Sequence, residues 1–128
     1  MTRLGAGPGR ALTAVYAVFA LSSSARAGLQ LVTKLSEAPV AYLLSALAAA
    51  VYVVATVALA RDLRRLAWAA VLVELTGVLV VGTLSYADAQ AFPDATVWSG
   101  FGSGYGYVPL VLPVLGVLWL RRTGRAGP

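Results

Sequence analysis

Four long apolar runs, 11–32, 39–60, 66–87 and 104–120, separated by short polar segments, constrain this chain more than any other feature. At 1.5 Å of rise per helical residue the first three each reach about 33 Å, enough to cross a hydrocarbon layer about 30 Å thick. The fourth is shorter and needs its glycine-rich approach to help. With 59% hydrophobic and 12% charged residues, a chain of 128 residues carries more apolar surface than a small soluble core can hide. Lipid is therefore the expected surrounding, and four spans leave little chain for a separate soluble domain. The expected fold is all-α: one membrane domain over 1–128, arranged as a transmembrane antiparallel four-helix bundle.

The charges say which way such a bundle sits. Every basic residue except Arg26 and Lys34 lies in one of three clusters. These are Arg3 with Arg10, the segment Arg61-Asp62-Leu63-Arg64-Arg65, and Arg121, Arg122 and Arg125. In a four-span chain the three clusters share one side, whereas the opposite loops hold Lys34 with Glu37 and Asp88 with Asp94. The positive-inside rule then places both termini in the cytoplasm, with the plasma membrane as the expected location. A competing reading takes Arg3, Arg10 and the run ending in Ala25-Arg26-Ala27 as a cleaved secretory signal, which would leave three spans. Against it, the apolar stretch continues through Gly28 to Val32, and Arg is unusual at such a site.

The net charge of +5 reads as orientation and not as nucleic-acid binding, because no soluble segment supplies an extended basic face. The chain has no Cys and no His, so disulfides and thiolate chemistry are excluded, and zinc, haem and Ser-His catalysis lose their usual groups. No cofactor and no enzymatic activity are expected.

Pro39 and Pro93 fall at span limits, but Pro109 and Pro113 fall inside the fourth run, where each removes a backbone donor. That helix is expected to be kinked and packed against its neighbours. The segment before it contains Phe92, Trp98, Phe101, Tyr105 and Tyr107, with Gly100, Gly102, Gly104 and Gly106 alternating at its end. Its composition suits the headgroup zone, and the Gly100/Gly104 and Gly102/Gly106 spacings would permit close helix contact if this part is helical. Gly104-Tyr105-Gly106 matches the centre of a potassium-channel filter, but Gly102-Ser103 stands where that filter has Thr-Val.

Glu74 is the one acid well inside a span, about 13 Å from the cytoplasmic end of the third run. A carboxyl there must be paired, hydrogen-bonded or protonated. Turning the second and third runs about Leu63 puts Tyr52 at matching depth, on a stripe of Tyr42, Ser45, Ala49, Tyr52 and Thr56. Glu74 itself lies on a mostly small face with Ala70, Gly77, Val81 and Ser85, which points it into the bundle. On the first helix Tyr16, Ser23, Arg26, Gln30 and Thr33 repeat at helical spacing, extending a polar seam. Arg26 lies nearer the outer surface than Glu74, so it pairs with the acid only by reaching down, and otherwise snorkels or meets Asp88. The candidate polar site is thus Glu74, Tyr52, Arg26, Ser23 and Tyr16, with two roles open: a hydrogen-bonded helix tie, or a proton or cation carrier.

In length and span count the chain resembles the small multidrug resistance transporters, four-helix membrane proteins that use an embedded Glu for proton exchange. The resemblance covers architecture: their essential Glu lies in the first helix, whereas here the first helix carries Arg26 and the acid is Glu74 in the third. The run from Val97 to Pro109, Val-Trp-Ser-Gly-Phe-Gly-Ser-Gly-Tyr-Gly-Tyr-Val-Pro, looks like the tail of small membrane proteins of GC-rich Gram-positive bacteria to which no activity is assigned. The expected function is that of a non-catalytic accessory or interaction subunit. Its partners would be the lipid bilayer and a larger membrane complex or further copies of itself. The alternative is a proton- or cation-coupled carrier of small solutes centred on Glu74.

Overall fold

The structure, a computed structural model, describes residues 3–33, 39–87 and 98–125. Lys34, Glu37, Asp88, Phe92, Pro93 and Asp94 lie outside the described residues, as do the side chains of Gln30, Thr33, Tyr42, Tyr105 and Arg125. The described chain is all-helical, with α1 Pro8–Thr33, α2 Pro39–Ala60, α3 Arg64–Ala87 and α4 Val108–Arg125, and a 3-10 segment, Ser99–Tyr105, ahead of α4. Three helices, α1 to α3, are long and apolar enough to cross a membrane. The fourth is not: α4 begins at Val108, not at 104, and ends among arginines. Its apolar part, 108–120, covers about 20 Å.

Local chemistry explains the helix limits. Pro8 opens α1, where its missing N–H costs no intrahelical bond. The turn between α2 and α3 is closed by a left-handed residue, Asp62, at φ 59°, with the Leu63 N–H donating to the Ala58 carbonyl at 2.8 Å. This is the glycine-type helix stop made with an aspartate, a residue that tolerates the left-handed region better than most. Asp62 then has a second role, since its Oδ1 accepts the Leu4 N–H at 2.9 Å. Trp119 Nε1 donates to the Leu4 carbonyl at 2.9 Å, and Arg64 donates to the Leu120 carbonyl and Thr123 Oγ1, both at 2.9 Å. The start of the chain, the α2–α3 turn and the last turns of α4 therefore meet at one end of the bundle.

At the other end, the segment before α4 does not form the close-packing helix that its glycine spacings would permit. Gly100, Phe101 and Gly102 all have positive φ, so the Gly-xxx-Gly spacings do not lie along one α-helical face. The glycines serve the left-handed backbone instead. Folded this way, the segment lies against α3. Trp98 covers Gly77, where an added Cβ would lie 2.6 Å from Cζ3 of the indole, and the ring of Phe101 covers Gly82 in the same manner. Ser85 Oγ accepts the Gly100 N–H at 2.9 Å. The small face of α3 thus receives aromatic rings from this segment. Pro109 is the second residue of α4, in the first turn, where a proline frees no carbonyl; Pro113 alone interrupts the interior of the helix.

The core contains Tyr16, Tyr52, Val71, Val78, Trp98 and Leu120, whereas Val18, Leu21, Leu29 and Leu118 are more than half exposed. Apolar side chains on the outside of an apolar bundle are what a lipid-facing surface requires.

Gly77→Val should unseat Trp98 and destabilise the fold by about 1–3 kcal/mol, as overpacking of a filled core does. Gly28→Ala is the control, because nothing lies within 4 Å of a Cβ there. Thermal unfolding in detergent followed by circular dichroism should show a lowered midpoint for the first variant only. Equal midpoints would contradict the packing of Trp98 on α3.

Candidate functional site: a buried carboxyl between two phenols

Glu74 projects from the middle of α3 and is 0% exposed. Tyr16 of α1 donates its hydroxyl to Glu74 Oε1 at 2.5 Å, at the short end for an O–H···O bond. Tyr52 of α2 also hydrogen-bonds the Glu74 carboxyl. Behind it, Trp98 Nε1 donates to the Tyr52 hydroxyl oxygen at 3.2 Å. An indole N–H is a donor only, so the Tyr52 oxygen accepts from Trp98 and leaves its own hydrogen for the carboxyl. Chains of this kind polarise one another, and low dielectric strengthens each bond.

The rings that carry these groups pack together. Tyr16 and Tyr52 have centroids 6.1 Å apart, Phe19 and Tyr52 5.5 Å, and Tyr52 and Trp98 6.5 Å. These are ordinary spacings for tilted aromatic pairs. Tyr16, Tyr52, Trp98 and Glu74 are all at most 1% exposed, so the polar cluster is sealed by its own aromatic frame. Gly116 of α4 closes a further side, where a Cβ would come within 3.4 Å of the Tyr16 hydroxyl and 3.1 Å of Val71. One carboxyl therefore links α1, α2, α3 and the approach to α4. The second carboxyl oxygen, Oε2, is buried without a hydrogen-bond partner among the described residues.

The residues singled out in the sequence divide into two groups. Tyr16, Tyr52 and Glu74 are brought together. Ser23 is buried on α1, two turns beyond Tyr16, and Arg26 is half-buried a further turn along. Ten residues of helix separate Arg26 from Tyr16, about 15 Å of rise, and the groups that contact Glu74 are phenols and not a guanidinium. Trp98 is the member that sequence reasoning missed. An aromatic in a glycine-rich segment next to a span has the composition of a membrane-surface anchor. Only its contacts with Gly77 and Tyr52 reveal it as part of the core.

The arrangement offers hydrogen-bond donation to a carboxyl and one buried acceptor oxygen. Among the described residues no group of three or more His, Cys, Asp or Glu side chains is placed to hold a metal.

Glu74→Ala should leave two buried phenols without their acceptor and cost about 1–3 kcal/mol, the usual penalty for orphaned polar groups. Glu74→Gln keeps an acceptor oxygen in the same place and should cost distinctly less. Chemical or thermal unfolding of both variants in one detergent checks the order. Equal losses would mean that the phenols do not depend on this carboxyl.

Comparison of the chain with protein-family models, with curated proteins and with solved structures found no match.

Proposed function

We propose that this protein is a multi-pass plasma-membrane protein that acts without catalysis as an accessory or interaction subunit. Its four helices would cross as an antiparallel bundle with both termini in the cytoplasm. The observation that carries this reading is the sealing of the Glu74 cluster. The phenols and the indole N–H inside the bundle are engaged in holding its own segments together, and large apolar side chains face outward along its sides. A molecule built this way works through its surface and its shape.

The orientation is supported by the contacts at one end. Leu4, Asp62, Arg64, Leu120 and Thr123 bond to one another across the chain, so the basic residues beside them gather on one side. That is the distribution the positive-inside rule reads as cytoplasmic. With α4 too short by itself, the fourth crossing would use the 3-10 segment as well. Retention of the first helix is supported by Tyr16 and Leu4, since cleavage after Ala27 would remove a donor to Glu74 and the acceptor of the Trp119 N–H.

A second reading is favoured by one atom. The unpartnered Oε2 of Glu74 has room in its bonding for a proton or a cation, which is what a coupled carrier of small solutes needs. The two readings separate cleanly. Purification from the native membrane in mild detergent should recover a stoichiometric partner if the protein is an accessory subunit, and a lone monomer would count against it. In proteoliposomes, Glu74→Gln should abolish a flux driven by a pH gradient if the protein is a carrier. An unchanged flux removes that reading.

A further inference from the structure

A crevice of about 480 Å³ lies between α1 and α4. One wall is the stripe Ala11 and Val15 on α1, and the other is Val111, Leu115 and Leu118 on α4, with Arg122 at its mouth. Val111, Leu115 and Leu118 are each about half exposed, so the crevice is open among the described residues. Its α4 wall runs from Val108 to Arg122, about 21 Å of helix. One leaflet of hydrocarbon is about 15 Å deep, so the crevice takes a chain of that length and still reaches the headgroup level.

The mouth has the charge of one kind of lipid. Arg122 lines it and Arg121 is its neighbour in sequence; both arginines are exposed. The described acid at this end, Asp62, is turned towards the Leu4 N–H. A zwitterionic headgroup would bring a second cation to this mouth, whereas an anionic one brings only the charge the arginines attract.

We propose that the α1–α4 crevice binds one anionic phospholipid, its acyl chain lying between Val15 and Leu115 and its phosphate held by Arg122. The inference rests on the membrane placement proposed above. The bound lipid fills the gap that the protein leaves in its own bundle and completes the packing of α4.

The test uses the full chain purified in mild detergent, with phosphatidylglycerol or phosphatidylcholine of identical acyl chains added, and counts retained lipid by native mass spectrometry. One phosphatidylglycerol should be retained in preference to phosphatidylcholine. Arg122→Gln should weaken that preference about fivefold, the effect of roughly one interfacial basic residue. Ala11→Phe, which fills the crevice, should lower retention of both lipids while the helical circular dichroism of the protein is unchanged. Equal retention of the two lipids, or retention unaltered by either substitution, overturns the proposal. A chain that stays in solution without detergent would instead overturn the membrane placement on which it rests.

Discussion

The hydrogen bond from Tyr16 to Glu74 is the contact on which the rest of this structure depends. A carboxyl in the middle of an apolar helix is costly to bury, and the cost is met only by groups that other segments bring to it. Tyr16 comes from α1, Tyr52 from α2 and Trp98 from the segment ahead of α4, so satisfying one side chain requires most of the chain to be in place. Apolar contact alone does not specify this arrangement. Leu and Val faces pack on lipid nearly as well as on one another, and helix association in a bilayer has little hydrophobic driving force. A directional polar tie supplies the register that dispersion does not.

The glycines of α3 extend the same logic. Gly77 and Gly82 provide the space in which Trp98 and Phe101 lie, and Trp98 in that position reaches the Tyr52 hydroxyl. The left-handed backbone at Gly100, Phe101 and Gly102 turns the segment back onto α3, with Ser85 holding the Gly100 N–H. At the far end, the bonds of Asp62 and Arg64 fasten the chain start and the last turns of α4 to the α2–α3 turn. Both ends of the bundle are thus closed by polar contacts while its sides remain apolar.

Much of this was legible in the sequence because apolar length and charge placement are one-dimensional signals. The helices of the first three apolar runs, and an inward-facing Glu74 near Tyr52, follow from counting residues along a helix and matching depth across the Leu63 turn. What could not be counted was lost. Trp98 has a membrane-surface composition and a core location, since its burial depends on the absence of a side chain at Gly77. The Gly-xxx-Gly pattern suggested a packing helix, but adjacent residues with positive φ leave the α-helical path. The fourth apolar run begins at 104 in the sequence, with Pro109 inside it, yet α4 starts at Val108 and accommodates Pro109 in its first turn. Charge placement marks Asp62 and Arg64 only as part of an orienting cluster, although each also makes long-range hydrogen-bond contact with the chain start or with α4.

A helix tie and a carrier site make the same demand on Glu74, namely that the phenols find it. The most direct measurement of that demand is a double-mutant cycle between Tyr16→Phe and Glu74→Ala, which each remove one partner of the bond, with unfolding free energies measured in one detergent or lipid system. The account predicts a coupling of about 1 kcal/mol, in the range found for directly bonded residues and for polar contacts between membrane helices. Strictly additive effects of the two substitutions would contradict it.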